Sequence, residues 1–208
     1  MGAAGGSFDC PAMNPPQRKP SLRVETVARI LALDPDRRAA EEATLLALFH
    51  ALPGFEAAGC VLLYASAFPE EFATGPLLRL ALEQGKRLVC PRVDRAARGL
   101  RLYQIRDVIK DFTRGTLGIP EPRRTCPPVA PAEVEWVLVP GLAFDPRCYR
   151  LGRGAGHYDR LLPTLRPDAP RWSLALDCQW VDDLPVEPHD VPLDGVVSPS
   201  RTATRHSR

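Results

Sequence analysis

Short continuous apolar runs constrain the fold of this chain more than any other feature. Residues 60–65, with the sequence CVLLYA, form the clearest run. Runs of this length are typical of strands that are buried on both faces of a sheet. Residues 100–105 alternate apolar and polar side chains instead, which predicts a half-buried strand. Further short strands are predicted at residues 87–90, 136–139, 172–176 and 195–198.

The segments between these runs carry helix signals. Residues 22–33 place apolar side chains at helical spacing. Asp34 and Pro35 then supply an N-cap and a first-turn proline for a second helix that ends near Leu52. Thr74 is a candidate cap for a third helix, which we expect over residues 75–84.

Strands that alternate with helices predict an α/β fold. We expect a single three-layer α/β/α domain with a mostly parallel sheet, Rossmann-like in plan, because 208 residues fit one domain of ordinary size. Residues 18–200 form this domain, with a disordered N-terminal arm at residues 1–17 and a flexible C-terminal tail at residues 201–208. Residues 113–133 are rich in proline, glycine and arginine, and they predict a long loop.

Charge, hydropathy and cysteine usage exclude several classes of partner. The net charge of +2, from 27 basic and 25 acidic residues, is too balanced for a nucleic-acid-binding surface. No run reaches the roughly 18 apolar residues of a membrane span, and we recognise no secretory leader. The six cysteines form no CxxC pair, which argues against a zinc site. We expect a cytoplasmic monomer with reduced thiols that binds neither nucleic acid nor a membrane.

A glycine-rich turn within residues 139–162 is the most informative segment. The chain leaves a buried strand, passes Gly152, Gly154 and Gly156, and enters a predicted helix near Tyr158. Alternating glycines let backbone N–H groups approach phosphate oxygens. Ligands of open α/β sheets bind at the carboxyl ends of the strands, which is where this turn belongs.

Charged side chains flank the glycine-rich turn. Arg150 and Arg153 supply positive charge, and Asp159 offers a hard oxygen ligand. Magnesium that accompanies a nucleotide takes only one or two protein carboxylates, so a single aspartate beside the turn suits it. A solvated surface turn would show the same residue types, and these residues alone therefore indicate no more than a possible anion site.

The same segment resembles the signature of the 5-formyltetrahydrofolate cyclo-ligase family, PG-aromatic-FD followed by RLG-x-G-x-G-aromatic-YD. Shorter stretches beginning at Lys19, Glu71, Gly118 and His189 resemble the family's K-x-x-LR, E-x-x-T, GI-x-EP and HD-x-x-xD segments. The resemblance covers roughly residues 19–198. In the signature, the positions that match in order and spacing are Pro140, Gly141, Phe144, Asp145, Arg150, Leu151, Gly152, Gly154, Gly156, Tyr158 and Asp159.

The resemblance implies an ATP-dependent ligase that closes 5-formyltetrahydrofolate to 5,10-methenyltetrahydrofolate. ADP and phosphate are released, and the implied intermediate is a phosphorylated formyl group, an iminium phosphate. ATP and the folate are the implied small-molecule partners, and Mg²⁺ is the implied cofactor.

The resemblance also implies a role for individual residues. Arg150 and Tyr158 are implied as catalytic, although Tyr158 either contacts the substrate or is simply buried at the helix start. Asp159 and Asp190 are implied metal ligands. The implied ATP-binding residues are Lys19, Arg23, Arg150, Leu151, Gly152, Arg153, Gly154, Ala155, Gly156, His157 and Tyr158. The implied substrate-binding residues are Glu71, Gly154, Ala155, Gly156, His157 and Tyr158.

Three positions depart from the family pattern. Cys148 stands where glycine is usual, so the turn is expected to need a different backbone shape. Ala155 replaces the common glycine or lysine, and His157 replaces a tyrosine or phenylalanine. These departures keep two other functions open: a regulator that binds nucleotide or folate without catalysis, and a sugar-phosphate isomerase or sensor of similar fold.

Overall fold

The computed structural model describes residues 15–115 and 118–205 of the chain. Its α-helices are α1 (Pro15–Leu31), α2 (Pro35–Phe49), α3 (Gly75–Glu83) and α4 (His157–Leu161). Its strands are β1 (Cys60–Leu62), β2 (Arg87–Asp94), β3 (Gly99–Ile105), β4 (Phe112–Arg114), β5 (Pro120–Pro122), β6 (Pro128–Val129), β7 (Trp136–Leu138), β8 (Ala143–Phe144), β9 (Arg150–Leu151), β10 (Arg171–Leu174), β11 (Gly195–Val197) and β12 (Thr202–Thr204).

Eight strands form one sheet in the order β12-β11-β10-β7-β1-β2-β3-β6. The five central strands, from β11 to β2, pair in parallel, with Val61 of β1 opposite both Leu88 of β2 and Trp136 of β7. The outer pairs β11–β12, β2–β3 and β3–β6 are antiparallel. This architecture confirms the predicted α/β fold with a mostly parallel sheet.

The order of the parallel strands reverses between β1 and β7. After β1 the chain adds β2 on one side, and it later returns to add β7, β10 and β11 on the other side. The connections that leave β1 and β7 therefore diverge and open a crevice at the carboxyl ends of these strands, which is the usual binding position in a doubly wound sheet.

The two faces of the sheet carry separate apolar cores, because successive side chains of a strand point to opposite faces. Val61 belongs to one core, with Ile30 of α1 and Leu45 of α2. Leu62 belongs to the other, with Leu161 of α4. All of these side chains are buried, which explains why β1 reads as an unbroken apolar run.

Both chain ends contain more regular structure than predicted. The first helix begins at Pro15, inside the segment 1–17 that we expected to be disordered; residues 1–14 lie outside the described residues. Strand β12 lies inside the expected tail 201–208, because main-chain pairing with β11 holds it at the sheet edge. Sequence patterns give little warning of an edge strand as short as Thr202–Thr204.

The structure also partly corrects the prediction that residues 113–133 form a long loop. It contains β5 and β6 and most of β4, and β5 pairs with β4 while β6 pairs with β3.

Strand β2 continues through Pro91, which lies beyond Val89, the last residue of β2 in register with β1. Thr74 occupies the predicted N-cap position of α3, but its side chain makes no cap hydrogen bond, because its Oγ1 accepts the Ser66 N–H at 2.8 Å instead.

No helix among the described residues is long and apolar enough to cross a bilayer.

Candidate active site

A cavity of about 290 Å³ lies at the crossover between β1 and β7. Its lining extends along the sheet end from Leu174 of β10 to Leu100 of β3. The structure brings every predicted site residue to this cavity, namely Lys19, Arg23, Glu71, Arg150, Leu151, Gly152, Arg153, Gly154, Ala155, Gly156, His157, Tyr158, Asp159 and Asp190.

A small hairpin, β8–β9, leads into the glycine-rich turn, and no sequence pattern predicted it. The buried Asp145 Oδ1 accepts the N–H groups of Arg147 and Tyr149 at 3.0 and 3.1 Å, which fixes the hairpin loop. Cys148 adopts φ 64°, a left-handed conformation that favours glycine. The expected change of backbone shape at Cys148 is therefore wrong: the cysteine keeps a glycine-like conformation, and burial raises the pKa of its thiol to about 11.

The N-terminal helix reaches the glycine-rich turn through Arg23. Its Nε donates to the Gly152 carbonyl at 2.8 Å. Gly154 has φ +99°, and an added Cβ would lie 3.3 Å from the Arg23 guanidinium carbon. Glycine is required at this position both for its backbone conformation and for the approach of Arg23. Within residues 15–115 and 118–205 no carboxylate forms an ion pair with Arg23, so its charge is available to an anion.

Lys19 lies between two carboxylates at one end of the cavity. Its Nζ is 2.6 Å from Glu187 Oε2 and 2.7 Å from Asp190 Oδ2. Burial alone would lower the pKa of Lys19, but the hydrogen bonds that its ammonium donates to both carboxylates, with their negative charge, outweigh burial and raise the pKa. Burial opposes ionisation of Asp190 in the same way, yet the ammonium of Lys19 lowers its pKa.

Arg150 and Tyr158 form the buried centre of the site. Arg150 Nη2 contacts Asp159 Oδ1 at 3.0 Å, and the guanidinium carbon lies 5.9 Å from the centre of the Tyr158 ring. Arg150 Nε and the Tyr158 hydroxyl are buried and have no hydrogen-bond partner among the described residues. Burial raises the pKa of Tyr158, so the phenol stays protonated. Buried donors without partners are rare, and these two are candidates to bind a ligand.

Arg153 turns away from Lys19 toward the connection after β1. Its Nη2 lies 2.7 Å from Glu70 Oε1 and 3.4 Å from Glu71 Oε1, and its guanidinium stacks 3.7 Å over the Phe68 ring. The glycine-rich turn is thus joined to both sides of the cavity: to α1 through Arg23, and to the connection that carries Glu71 through Arg153.

The carboxylates at the Lys19 end suit Mg²⁺, which takes one or two protein carboxylates and keeps several waters. Glu187, His189 and Asp190 offer ligand atoms within 4.8 Å of one another. Asp159 is not in that group of described residues, but its Oδ1 is 3.5 Å from the Val191 N–H, so it lies beside the segment that carries Asp190. The donor types therefore fit the predicted cofactor.

Sequence reasoning missed three residues that organise this site. Glu187 and Glu70 pair with Lys19 and Arg153 across 168 and 83 residues of chain, and neither belongs to a motif that we had interpreted. Phe68 supplies the ring under Arg153. The pairs Glu70–Glu71 and Glu187–Asp190 did carry acidic charge in the sequence, but nothing in the sequence says which cation each one faces.

A doubly wound sheet with a glycine-rich turn, four basic side chains and hard oxygen ligands at its crossover defines an α/β enzyme that acts on an anionic ligand. The particular family follows from comparison with known proteins. Residues 15–199 match the model of the 5-formyltetrahydrofolate cyclo-ligase family, and the chain belongs to that family.

Individual relatives agree with this family. The chain is 34% identical to 5-formyltetrahydrofolate cyclo-ligase of Escherichia coli strain K12 over 137 residues, which cover 65% of this chain and 75% of the relative. It is 37% identical over 131 residues to the cyclo-ligase of Mycolicibacterium smegmatis, with 60% and 66% covered. The NMR structure of 5,10-methenyltetrahydrofolate synthetase from Aquifex aeolicus superimposes with a TM-score of 0.79 at 29% identity, covering 91% of this chain and 94% of that one.

Proposed function

We propose that this protein closes 5-formyltetrahydrofolate to 5,10-methenyltetrahydrofolate at the expense of ATP, releasing ADP and phosphate. The observation that carries the proposal is the convergence of Lys19, Arg23, Arg150 and the glycine-rich turn on one cavity that also contains Glu71. Family membership supports the folate substrate, and it argues against a sugar-phosphate isomerase or sensor.

The chemistry requires activation of a poor leaving group. The formyl oxygen attacks the γ-phosphorus of ATP, the bond to the β-phosphate oxygen breaks, and ADP leaves. Nitrogen 10 of the folate then attacks the activated formyl carbon, loses its proton, and the carbon–oxygen bond breaks to release phosphate. In transfers of this kind the protein mainly positions reactants and stabilises charge.

The described side chains divide this work. Arg23 has no carboxylate partner among the described residues and supports the phosphates directly, while Lys19 must exchange a carboxylate for phosphate oxygen. Arg150 directs a buried, unpaired Nε–H into the site. Each such charge-assisted hydrogen bond is worth about 1.5–3 kcal/mol.

The metal in this proposal is Mg²⁺, which Asp159 and Asp190 would hold. When bound, the ion neutralises phosphate charge. Asp190 can serve this role while its Oδ2 stays with Lys19, because its second oxygen, Oδ1, has His189 at 3.7 Å as its described ion-pair contact. Glu71 directs Oε1 toward the folate side, since its Oε2 is held by the Ala67 and Phe68 N–H groups.

The test is the appearance of methenyltetrahydrofolate absorbance when purified protein meets 5-formyltetrahydrofolate, with and without Mg-ATP. The proposal expects absorbance to rise only with ATP, with one ADP formed for each ring closed. Tight binding of both ligands without turnover would contradict the proposed activity and would support a non-catalytic regulator instead. Ring closure at the same rate without ATP would contradict the nucleotide's role.

A cytoplasmic monomer is the state that we propose for this activity. Sedimentation of the purified chain at assay concentration checks the oligomeric state, and a single species of one chain is expected. Fractionation of cells that express it checks the compartment.

A further inference from the structure

The connection that follows β1 has a fixed backbone. The Ser66 N–H donates to Thr74 Oγ1 at 2.8 Å, and the Thr74 N–H donates to Ser66 Oγ at 3.1 Å. Arg38 of α2 donates to the carbonyls of Pro69 and Glu71 at 2.5 and 2.8 Å. These bonds close the connection from within and anchor it to α2. The glutamates that it carries therefore start from a defined position.

The two adjacent glutamates of this connection have different environments. Glu71 lines the cavity, and its Oε2 accepts two backbone N–H groups of its own connection. Glu70 is 7% exposed and is not among the cavity-lining residues. Its Oε1 lies 2.7 Å from Arg153 Nη2, which is 3.4 Å from Glu71 Oε1. Arg153 thus makes a short ion pair with Glu70 and a longer, weaker one with Glu71.

Arg153 has a planar guanidinium, and three described groups determine its orientation. The Phe68 ring lies under its face at 3.7 Å, which leaves the guanidinium free to rotate in that plane. Glu70 removes that freedom by holding Nη2 at its edge. Without Glu70, the nearest remaining carboxylate is Glu71, and Arg153 would close on the oxygen that the folate requires.

We infer that Glu70 is a positioning residue: it holds Arg153 so that Glu71 keeps Oε1 for the folate. This inference rests on the proposed function, because it assumes that Glu71 binds the folate. It assigns to Arg153 a role on the folate side of the cavity, whereas the family resemblance alone places Arg153 among the phosphate ligands. Nothing in the sequence motifs gives Glu70 a role.

The experiment measures steady-state kinetics of Glu70→Gln with each substrate varied in turn. The amide keeps the size of the side chain and weakens its hold on Arg153. We expect KM for the folate to rise roughly tenfold, which corresponds to about 1.4 kcal/mol. KM for ATP and the melting temperature should remain near the parent values. A merely structural role for Glu70 would instead lower the melting temperature and raise both KM values together.

Glu41→Gln is the matched control. Glu41 is also 7% exposed and pairs with an arginine, Arg37, at 2.9 Å, but it does not line the cavity. This variant should leave both KM values unchanged. If Glu41→Gln raises KM for the folate as much as Glu70→Gln does, the effect belongs to buried carboxylates in general and the inference fails.

A double variant separates positioning from direct contact with the folate. Arg153→Gln removes the group that would close on Glu71, so Glu70→Gln added to it should no longer raise KM for the folate, because Glu70 acts through Arg153. Full additivity of the two changes would overturn the inference. If Glu70→Gln does not fold, Arg153→Gln alone decides: a rise confined to KM for ATP overturns the inference.

Failure of this inference can be told apart from failure of the proposed function. Parent protein that closes no ring with ATP contradicts the proposed function itself. Active parent protein whose folate KM is unchanged in Glu70→Gln contradicts only the role of Glu70.

Discussion

Each end of the cavity contains one cationic side chain in contact with two carboxylates. At one end Lys19 lies between Glu187 and Asp190, and at the other Arg153 lies against Glu70 and Glu71, with the shortest contacts at 2.6 and 2.7 Å. In both places carboxylates hold a cation that the resemblance assigns to phosphate. The two ends differ in the type of cation, which is a lysine at one end and an arginine at the other, and in the groups around it.

The difference concerns how readily each cation can change partner. Lys19 carries a compact charge on a flexible stem, and its two carboxylates have further oxygens to offer to magnesium. Arg153 is planar, stacked on Phe68 and bound at its edge, so it is held in one orientation. Under the proposed function, the Lys19 end is therefore suited to exchanging partners when Mg-ATP binds, whereas the Arg153 end is suited to keeping one arrangement.

The largest effect on turnover is expected from Asp190 at the Lys19 end of the cavity and from Asp159 at the buried centre. Asp159→Asn and Asp190→Asn should each give a folded protein whose turnover with Mg-ATP falls roughly 100-fold, the scale of losing one preorganised charged group. The measurement is turnover at limiting and at saturating magnesium. Parent rates under both conditions for both variants would show that neither aspartate holds the metal.

The largest effect on ligand binding is expected when the cations themselves are removed. Lys19→Ala combined with Arg23→Ala should weaken ATP binding, with about 1.5–3 kcal/mol lost for each charge-assisted contact. Folate binding should be nearly unchanged, since the folate depends on the Arg153 end. Titration with a nonhydrolysable ATP analogue checks this expectation. Unaltered nucleotide affinity would show that these two residues have only a structural role.

The ion pair of Lys19 with Asp190 also predicts how stability depends on pH. Asp190 has its pKa lowered from 3.8, so its contribution is present above that value and is lost as the pH falls through the folded-state pKa. Lys19 has its pKa raised from 10.5, so its contribution is complete below that value and is lost as the pH rises through the folded-state pKa.

Comparison with Lys19→Met measures this contribution. The parent protein should melt about 2–4 °C higher than Lys19→Met across the neutral range, as expected for roughly 1 kcal/mol in a chain of this size. The difference should vanish at strongly acidic pH and at pH above the raised pKa of Lys19. A constant difference at all pH values would mean that packing of the lysine stem, and not the ion pair, is responsible.

The smallest effect is expected at Ala155, which lies between the two ends. The residue is exposed and lines the cavity, and its carbonyl accepts a hydrogen bond from Arg160 at 2.7 Å. Ala155→Lys adds an ammonium where family members often carry one, and it should lower KM for ATP or for polyglutamylated folate severalfold with little change in stability. A raised KM together with lost turnover would show that the turn requires a small residue.

The sequence predicts the central sheet and the members of the site better than the contacts among them. Buried strands such as β1 can be recognised in the sequence because both of their faces are apolar. Strands β5 and β12 do not, since they are too short and too polar or proline-rich to show a period. The motifs identified Lys19 and Arg153 as site residues, but their partners Glu187 and Glu70 are brought to them only by the tertiary fold.

Cys148 shows why a departure from a family pattern is difficult to interpret from sequence. The substitution of cysteine for glycine suggested a changed turn, yet the residue retains φ 64°. Its side chain is fully buried in the core on the α4 face of the sheet. Burial of the thiol offsets a left-handed conformation that costs roughly 1–2 kcal/mol, and no sequence pattern reports that balance.

Direct transfer between two ligands held side by side in the crossover cavity is the central claim, and an isotope experiment tests it most directly. The parent protein is given 5-formyltetrahydrofolate whose formyl oxygen carries a heavy isotope, together with unlabelled Mg-ATP in unlabelled water. If the formyl oxygen attacks the γ-phosphorus, the released inorganic phosphate contains the heavy oxygen, one atom for each ring closed. Unlabelled phosphate released alongside stoichiometric ring closure would contradict the account, because ATP would then be hydrolysed without activating the formyl group.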